Sequence, residues 1–138
     1  MADRISFSIT NDLAEIPRLN DVVAVFLSRV WMPARAAGIV DLAVEELVTD
    51  FIKHSGDDDN AYQIQVSLCA NEDYLVVVIE DEGRPFDPLQ APEHDASFEE
   101  RRDGKSGLDL IRSIAESIDY HRLGGKNRLE IQIDMDVH

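Results

Sequence analysis

The spacing of apolar residues changes near the middle of this chain, and the change limits the folds that the chain can adopt. Between residues 13 and 54 apolar side chains recur at steps of three and four, which predicts two helices that each bury one stripe. Between residues 61 and 80 the pattern becomes that of two strands joined by a short turn at residues 71–73. Residues 75–79 are apolar on both faces, so we expect their strand in the middle of a sheet.

The same reading, carried along the whole chain, predicts a single domain over residues 1–138. The predicted elements are a strand at 4–10, helices at 13–30 and 37–54, strands at 61–70 and 74–80, a helix from 107 to 118, and strands at 119–123 and 128–137. Helices packed on one side of a sheet form two layers. The predicted fold class is therefore an α/β (α+β) two-layer sandwich, a mixed sheet with three helices on one face.

Residues 82–106 have a different composition from the rest of the chain. They contain Pro85, Pro88 and Pro92, several charges and few apolar residues, which predicts a long surface loop. Loops of more than about 15 residues in compact domains usually serve as lids or binding loops. We therefore expect a lid at about residues 84–106.

The charge of the chain restricts its partners. With 28 acidic and 13 basic residues the formal net charge is -15, which repels nucleic acids and anionic membrane surfaces. A nucleotide would need local compensation from a cation, a metal or backbone N–H groups. The one cysteine, Cys69, allows no internal disulfide, and neither a signal peptide nor a membrane span is predicted. The expected location is the cytoplasm.

Three short motifs carry residues suited to nucleotide chemistry. Glu46 and Asp50 are four residues apart on the second helix and therefore share one face. Asp81-Glu82-Gly83 ends a buried strand, and Gly104-Lys105-Ser106-Gly107-Leu108 precedes a helix whose N-terminus suits phosphate. Each motif alone also fits a plain alternative, namely a solvated acidic face, an acidic turn or an ordinary loop before a helix.

In this order and at these separations, the motifs resemble one family. The chain is similar to the GHKL (Bergerat-fold) ATPase-like domains, and in particular to the branch of anti-sigma-factor serine/threonine protein kinases. Residues 42–54 match the N box, residues 80–88 the first glycine box, and residues 104–112 the second glycine box. Residues 124–129 resemble the usual ending of that branch.

The resemblance implies a role for each matching residue. Glu46 takes the position of the general base, and Asp50 takes that of an asparagine that holds Mg²⁺. Asp81 corresponds to the acceptor of the adenine amine, with Gly83 beside the base. The phosphate side of the pocket corresponds to Gly104, Lys105, Gly107 and Leu108. Asp50 for Asn and Lys105 for Gly are departures from the family pattern.

Two functions of different classes follow from the resemblance. The first is a kinase that transfers the γ-phosphoryl group of ATP, with Mg²⁺, to a serine or threonine of a STAS-domain anti-sigma antagonist. The alternative is a catalytically impaired partner-switching module that sequesters a sigma factor or another regulator. A third interpretation is a sensor-kinase-like half that phosphorylates histidine. It is disfavoured because the chain has no predicted helices for dimerisation and phosphotransfer. The resemblance also implies a homodimer, and a partner surface on the N-terminal helix with Arg18, Asn20, Arg29 and Trp31.

Overall fold

The computed structural model describes residues 3–54, 61–90 and 106–136. Five strands form one sheet in the order β1-β2-β3-β5-β4, and three helices accompany it. The strands are β1 Asp3–Thr10, β2 Gln63–Ala70, β3 Tyr74–Asp81, β4 Ala115–Leu123 and β5 Lys126–Asp134. The helices are α1 Ile16–Leu27, α2 Ala34–His54 and α3 Gly107–Ile114. The predicted two-layer architecture is confirmed.

The predicted mixed sheet is wrong, because all four strand pairs in the described residues are antiparallel. The helices α1 and α2 run out and back, so the chain returns to the end of the sheet at which β1 finished, and β2 starts there. After β3 the chain crosses back through α3, so β4 runs in the same direction as β3. These two strands do not pair, because β5 lies between them.

The first two helices differ from their predicted bounds at the ends. A 3-10 turn at Leu13–Glu15 precedes α1, and the Oδ1 atom of Asp12 caps it by accepting the N–H of Ala14 at 2.9 Å. The apolar stripe continues to Val30 after α1 ends, because single 3-10-type hydrogen bonds continue the last turn. The helix α2 begins directly after Pro33.

The third helix was predicted too long. It ends at Ile114, and the next residue, Ala115, has extended backbone angles and begins β4. Apolar residues at 111, 114, 115 and 118 fit a helical repeat, but Ile118 packs against the core from a strand. A register shift between Ala115 and Ser117 separates the two periodicities. The sequence does not show this irregularity, so the spacing of the apolar residues alone predicts a longer helix.

The core lies between the helices and one face of the sheet. The central strands bury every second residue towards the helices, and the buried aliphatic set on β2, β3 and β5 is Ile64, Val66, Leu68, Leu75, Val77, Ile79, Leu129, Ile131 and Ile133. Burial of each such side chain stabilises the fold by roughly 1.5–3 kcal/mol. Within the described ranges, the buried polar residues are Asp81 and Asn127. Both lie at one end of this face. Among the helices that the structure describes, none is long and apolar enough to cross a lipid bilayer.

Candidate functional site

The C-terminal half of α2 carries a row of polar side chains. Glu46, Asp50 and His54 follow one another at steps of four residues, so they lie along one side of the helix. Glu46 and Asp50 are half-buried, and His54 is the exposed last residue of α2. This row borders the end of the sheet at which β3 stops, because the Tyr62 hydroxyl just before β2 donates to the Phe51 carbonyl.

The N-terminus of α3 rests on α2 through a close polar contact. The backbone N–H of Gly107 donates to Oε2 of Glu46 at 2.5 Å. A Cβ atom at Gly107 would lie 2.6 Å from that oxygen and 3.0 Å from the Cα of Ala43, so a side chain here would displace the Glu46 carboxylate and crowd the α2 backbone. Ser106 caps the helix in a reciprocal pair with Asp109. Two of the three sequence motifs are therefore in contact.

The third motif contacts Asn127, a residue to which the sequence assigned no role. Asp81, the last residue of β3, pairs across the sheet with Asn127 of β5. The Oδ1 atom of Asp81 accepts the Asn127 Nδ2–H at 2.8 Å and the Gly83 N–H at 3.2 Å. Asp81 and Asn127 are 2% and 0% exposed. Asp81 is therefore a buried, hydrogen-bonded carboxylate in the core face and not a solvated turn residue.

Asn127 has four hydrogen-bond partners. Its Nδ2 atom donates to Asp81 Oδ1 and, at 2.7 Å, to the carbonyl of Arg84. Its Oδ1 atom accepts the N–H of Phe86 at 3.1 Å and the hydroxyl of Tyr120. These four bonds fill the hydrogen-bonding capacity of the amide. The available signal in the sequence was a polar residue two positions after the second turn glycine, in a strand that is otherwise apolar on alternate positions.

The segment after Asp81, where the predicted lid begins, is fastened to the rest of the domain. Arg122 donates through Nη1 to the carbonyl of Gly83 at 2.7 Å, and Arg112 donates through Nη2 to the carbonyl of Leu89 at 3.1 Å. Pro88 is buried within a 3-10 turn. Residues 84–90 are therefore a docked segment, and residues 91–105 of the predicted lid lie outside the described residues.

An aromatic group closes the end of the site. The Phe86 ring meets the Phe51 ring edge-on at a centroid distance of 5.7 Å, and the His54 ring at 5.3 Å. Phe51 is fully buried, so the contact joins the docked segment to the core. His54 is the last residue of α2, and its ring lies against Phe86.

The remaining predicted site residues divide into two sets. Gly104 and Lys105 lie outside the described residues, so their phosphate role stays a prediction. Leu108 is described, half-buried against the core in the first turn of α3. In the described ranges a positive φ belongs to Gly124 and Gly125, in the turn between β4 and β5, and not to Gly83.

The donor set fits a magnesium ion that is shared with phosphates. In the described ranges no group of three or more His, Cys, Asp or Glu residues could hold a metal by itself. Mg²⁺ in nucleotide sites usually takes one or two carboxylates, with phosphate and water oxygens completing its shell. The Asp50 carboxylate, on the same side of α2 as Glu46, has the chemistry that such a ligand requires.

One acidic group beside this row has a shifted pKa. Burial and the neighbouring Glu45 carboxylate raise the pKa of Asp41 on α2, and its Oδ1 atom has no hydrogen-bond partner in the part of the chain that the structure describes. Glu45 accepts the Asn20 Nδ2–H of α1 at 2.6 Å. Asp41 therefore weakens the fold when it is ionised.

The described residues have the arrangement of the GHKL class. Three helices cover an antiparallel sheet, one helix has an acidic face, an aspartate ends a strand, and a glycine starts the last helix. The chain belongs to the histidine kinase-like ATPase domain family, whose model matches residues 9–133. This result confirms the family predicted from the motifs.

Two known proteins are similar to the chain. It is 25% identical over 107 residues to the serine-protein kinase RsbW of Oceanobacillus iheyensis, over 69% of this chain and 68% of the relative. Its fold is similar to the Erythrobacter litoralis EL346 blue-light activated histidine kinase, with a TM-score of 0.59 and 18% identity over 88% of this chain. The chain spans only 41% of that kinase, so this likeness concerns the fold alone.

Proposed function

We propose that the chain binds ATP with Mg²⁺ and transfers the γ-phosphoryl group to a serine or threonine of a partner protein. The observation that carries the proposal is the direct contact between Glu46 of the N box and Gly107 of the second glycine box. It brings a candidate base to a helix N-terminus, where backbone N–H groups and the helix dipole favour phosphate. The similarity to a serine-protein kinase supports the choice of acceptor.

In this proposal each end of the pocket recognises one part of ATP. Asp81 accepts a hydrogen bond from the adenine amine, with Gly83 beside the base. The N–H groups at Gly107 and Leu108, and those of Gly104 and Lys105 before them, receive the phosphates. Asp50 holds Mg²⁺, which would neutralise charge on the phosphate oxygens. The metal matters more here than in a neutral protein, because the chain carries a net charge of -15.

The transfer step uses Glu46 as the base. The acceptor hydroxyl oxygen bonds to the γ-phosphorus while the bond from that phosphorus to the β,γ-bridging oxygen breaks, and ADP leaves with the electron pair. The hydroxyl proton passes to the Glu46 carboxylate. Because this carboxylate holds the Gly107 N–H, we propose that an arriving phosphate replaces it there and releases it for the acceptor.

We propose a STAS-domain antagonist or a sigma factor as the partner, bound beside the C-terminal end of α1. Trp31 is 94% exposed, and exposed Val25 lies in the last two turns of α1. Arg29 and Arg35 are exposed nearby, and residues 22–40 contain no acidic residue in a chain that has 28. Tryptophan and arginine are the residues most enriched at energetic centres of protein interfaces. The exposure of Trp31 excludes it from the core.

A second candidate function is a partner-switching module without transfer activity. Asp50 favours it, because a carboxylate in place of the amide adds negative charge near a polyphosphate. Calorimetry with ATP and Mg²⁺, followed by transfer assays with labelled ATP and recombinant STAS proteins, separates the two functions. Binding with transfer supports the kinase, and binding without transfer to any candidate supports the module.

The transfer assay has a matched pair of variants. Glu46→Gln should abolish transfer and leave ATP binding intact, since the amide oxygen still accepts hydrogen bonds. Glu45→Gln removes the same charge from the neighbouring residue, which points elsewhere on α2 and bonds Asn20. It should keep full transfer activity. Equal activity of Glu46→Gln and the unmodified chain would refute the role of Glu46.

A further inference from the structure

The orientation of the Asn127 amide is determined by backbone groups whose polarity is unambiguous. The Phe86 N–H can only donate, so the atom beside it must be the amide oxygen. The Arg84 carbonyl can only accept, so the atom beside it must be the amide nitrogen. The nitrogen therefore faces Asp81, and the amide cannot turn over without breaking bonds to both backbone groups.

This orientation makes Asp81 a hydrogen-bond acceptor. Both groups that reach its Oδ1 atom, the Asn127 Nδ2–H and the Gly83 N–H, are donors. A 6-amino purine offers a donor to such a carboxylate, whereas a 6-oxo purine offers an acceptor and repels it. Discrimination is strong where the polar groups involved are buried, as Asp81 and Asn127 are.

Tyr120, on the edge strand β4, makes a hydrogen bond to the Asn127 amide. Its hydroxyl donates to Asn127 Oδ1, from a position on β4 whose cross-strand partner is Leu129, two residues beyond Asn127 on the same face. The second lone pair of the amide oxygen is thereby filled, so water cannot compete for it. Asp81, Asn127 and Tyr120 form one chain of hydrogen bonds across three adjacent strands.

We propose that Asn127 is a positioning residue that acts through Asp81 to select adenine over 6-oxo purines, and that Tyr120 holds Asn127 in place for this task. The inference rests on the proposed nucleotide binding and adds to it the residues that determine base specificity. The same amide binds residues 84 and 86, so the base-reading carboxylate and the docked segment share one anchor.

The test measures dissociation constants for ATP and ITP, each with Mg²⁺, by calorimetry. ITP differs from ATP at position 6 and in the protonation of the adjacent ring nitrogen. We expect the unmodified chain to prefer ATP about 10- to 100-fold, the range of one unpaired buried polar group. Asn127→Ala should reduce this ratio about tenfold, and Tyr120→Phe about threefold. Tyr74→Phe, at the opposite end of β3, is the control and should leave the ratio unchanged.

The ratio separates positioning from simple loss of structure, which lowers both affinities together. An unchanged ratio in folded Tyr120→Phe and folded Asn127→Ala overturns the inference. If Asn127→Ala does not fold, as judged by circular dichroism, Tyr120→Phe decides alone. A chain that binds ATP and ITP equally also overturns the inference but leaves the proposed function standing. A chain that binds neither overturns both.

Discussion

Glu46 Oε2 accepts the backbone N–H of Gly107 at 2.5 Å, so a carboxylate of α2 occupies the first N–H of α3. An anion at this position offsets the positive end of the helix dipole. A phosphate group would make the same interaction with more charge, which is why we propose that it displaces the carboxylate. The contact thus joins the candidate base and the candidate phosphate site in a single hydrogen bond.

Gly107→Ala should destabilise the fold. The new Cβ would meet Glu46 Oε2 at 2.6 Å and the Ala43 Cα at 3.0 Å, and the backbone of α2 cannot move away cheaply. We expect the free energy of unfolding to fall by about 1–3 kcal/mol. Urea denaturation followed by circular dichroism measures this change.

Gly38→Ala is the matched control for that experiment. Gly38 lies in α2 with nothing within 4 Å of its added Cβ. Because alanine favours the helix over glycine, this variant should gain about 0.5–1 kcal/mol. Opposite signs for the two variants support the packing of α3 on α2, and a stable Gly107→Ala would contradict it.

Asp50→Asn should change the dependence of ATP binding on magnesium. Removal of one negative charge near the phosphates is worth about 1 kcal/mol at an effective dielectric constant between those of protein and water. Without Mg²⁺ we expect the variant to bind ATP about fivefold more tightly. With Mg²⁺ the gain should shrink, since the amide is the weaker ligand for a hard cation. Calorimetric titrations with Mg²⁺ and with EDTA provide both values.

Glu45→Gln controls for net charge in the Asp50 experiment. It removes the same unit of charge from α2, but from a side chain that faces α1 and accepts the Asn20 amide. Its affinity for ATP should change less than twofold in either condition. If Glu45→Gln tightens binding as much as Asp50→Asn, the effect comes from overall charge and Asp50 has no special place.

The sequence predicted the layers because each buried stripe is local information. The apolar positions of α2 and the run at residues 75–79 are visible without knowing what covers them. Strand partners are different, because they depend on which strand inserts next to which. Here β5 returns between β3 and β4, and that insertion removes the parallel pair that a mixed sheet requires.

The site was predictable where a motif combines backbone and side-chain demands. Gly107 and Glu46 could be found from spacing, although not their direct hydrogen bond. Asn127 lies within the matched ending at residues 124–129, but its role could not be found, since a lone polar residue after a glycine turn has no distinctive spacing. Its role appears only when β3 and β5 pair in register and place it opposite Asp81.

Asp41→Asn should stabilise the protein at neutral pH. Burial, and then the Glu45 carboxylate, raise the pKa of Asp41 above its ordinary value near 3.8. A carboxyl with a raised pKa binds its proton more tightly in the folded chain, so stability is lost as the pH rises through that pKa. The variant lacks this loss, and we expect it to gain no more than about 0.5 kcal/mol at pH 7, because solvent screens a charge that is only partly buried. Urea denaturation at several pH values gives the profile.

The sign of the pH dependence distinguishes this cause from others. The advantage of Asp41→Asn should decrease as the pH is lowered towards the ordinary aspartate range, because the unmodified side chain then becomes protonated too. Asp21→Asn removes the same charge from an exposed position of α1 and should show no such trend. A constant advantage at all pH values would indicate better packing instead.

Trp31 is the single tryptophan of the chain and is 94% exposed, so its fluorescence reports the proposed partner surface. ATP should leave the emission unchanged, because Glu46 and Asp50 lie in the far half of α2, a helix of about 30 Å. A STAS-domain or sigma-factor partner should shift the emission to shorter wavelength and protect it from acrylamide. Trp31→Ala should weaken partner binding about 30-fold, the effect of an interface hot spot, whereas Leu13→Ala should not. A partner that binds Trp31→Ala with full affinity must use another surface.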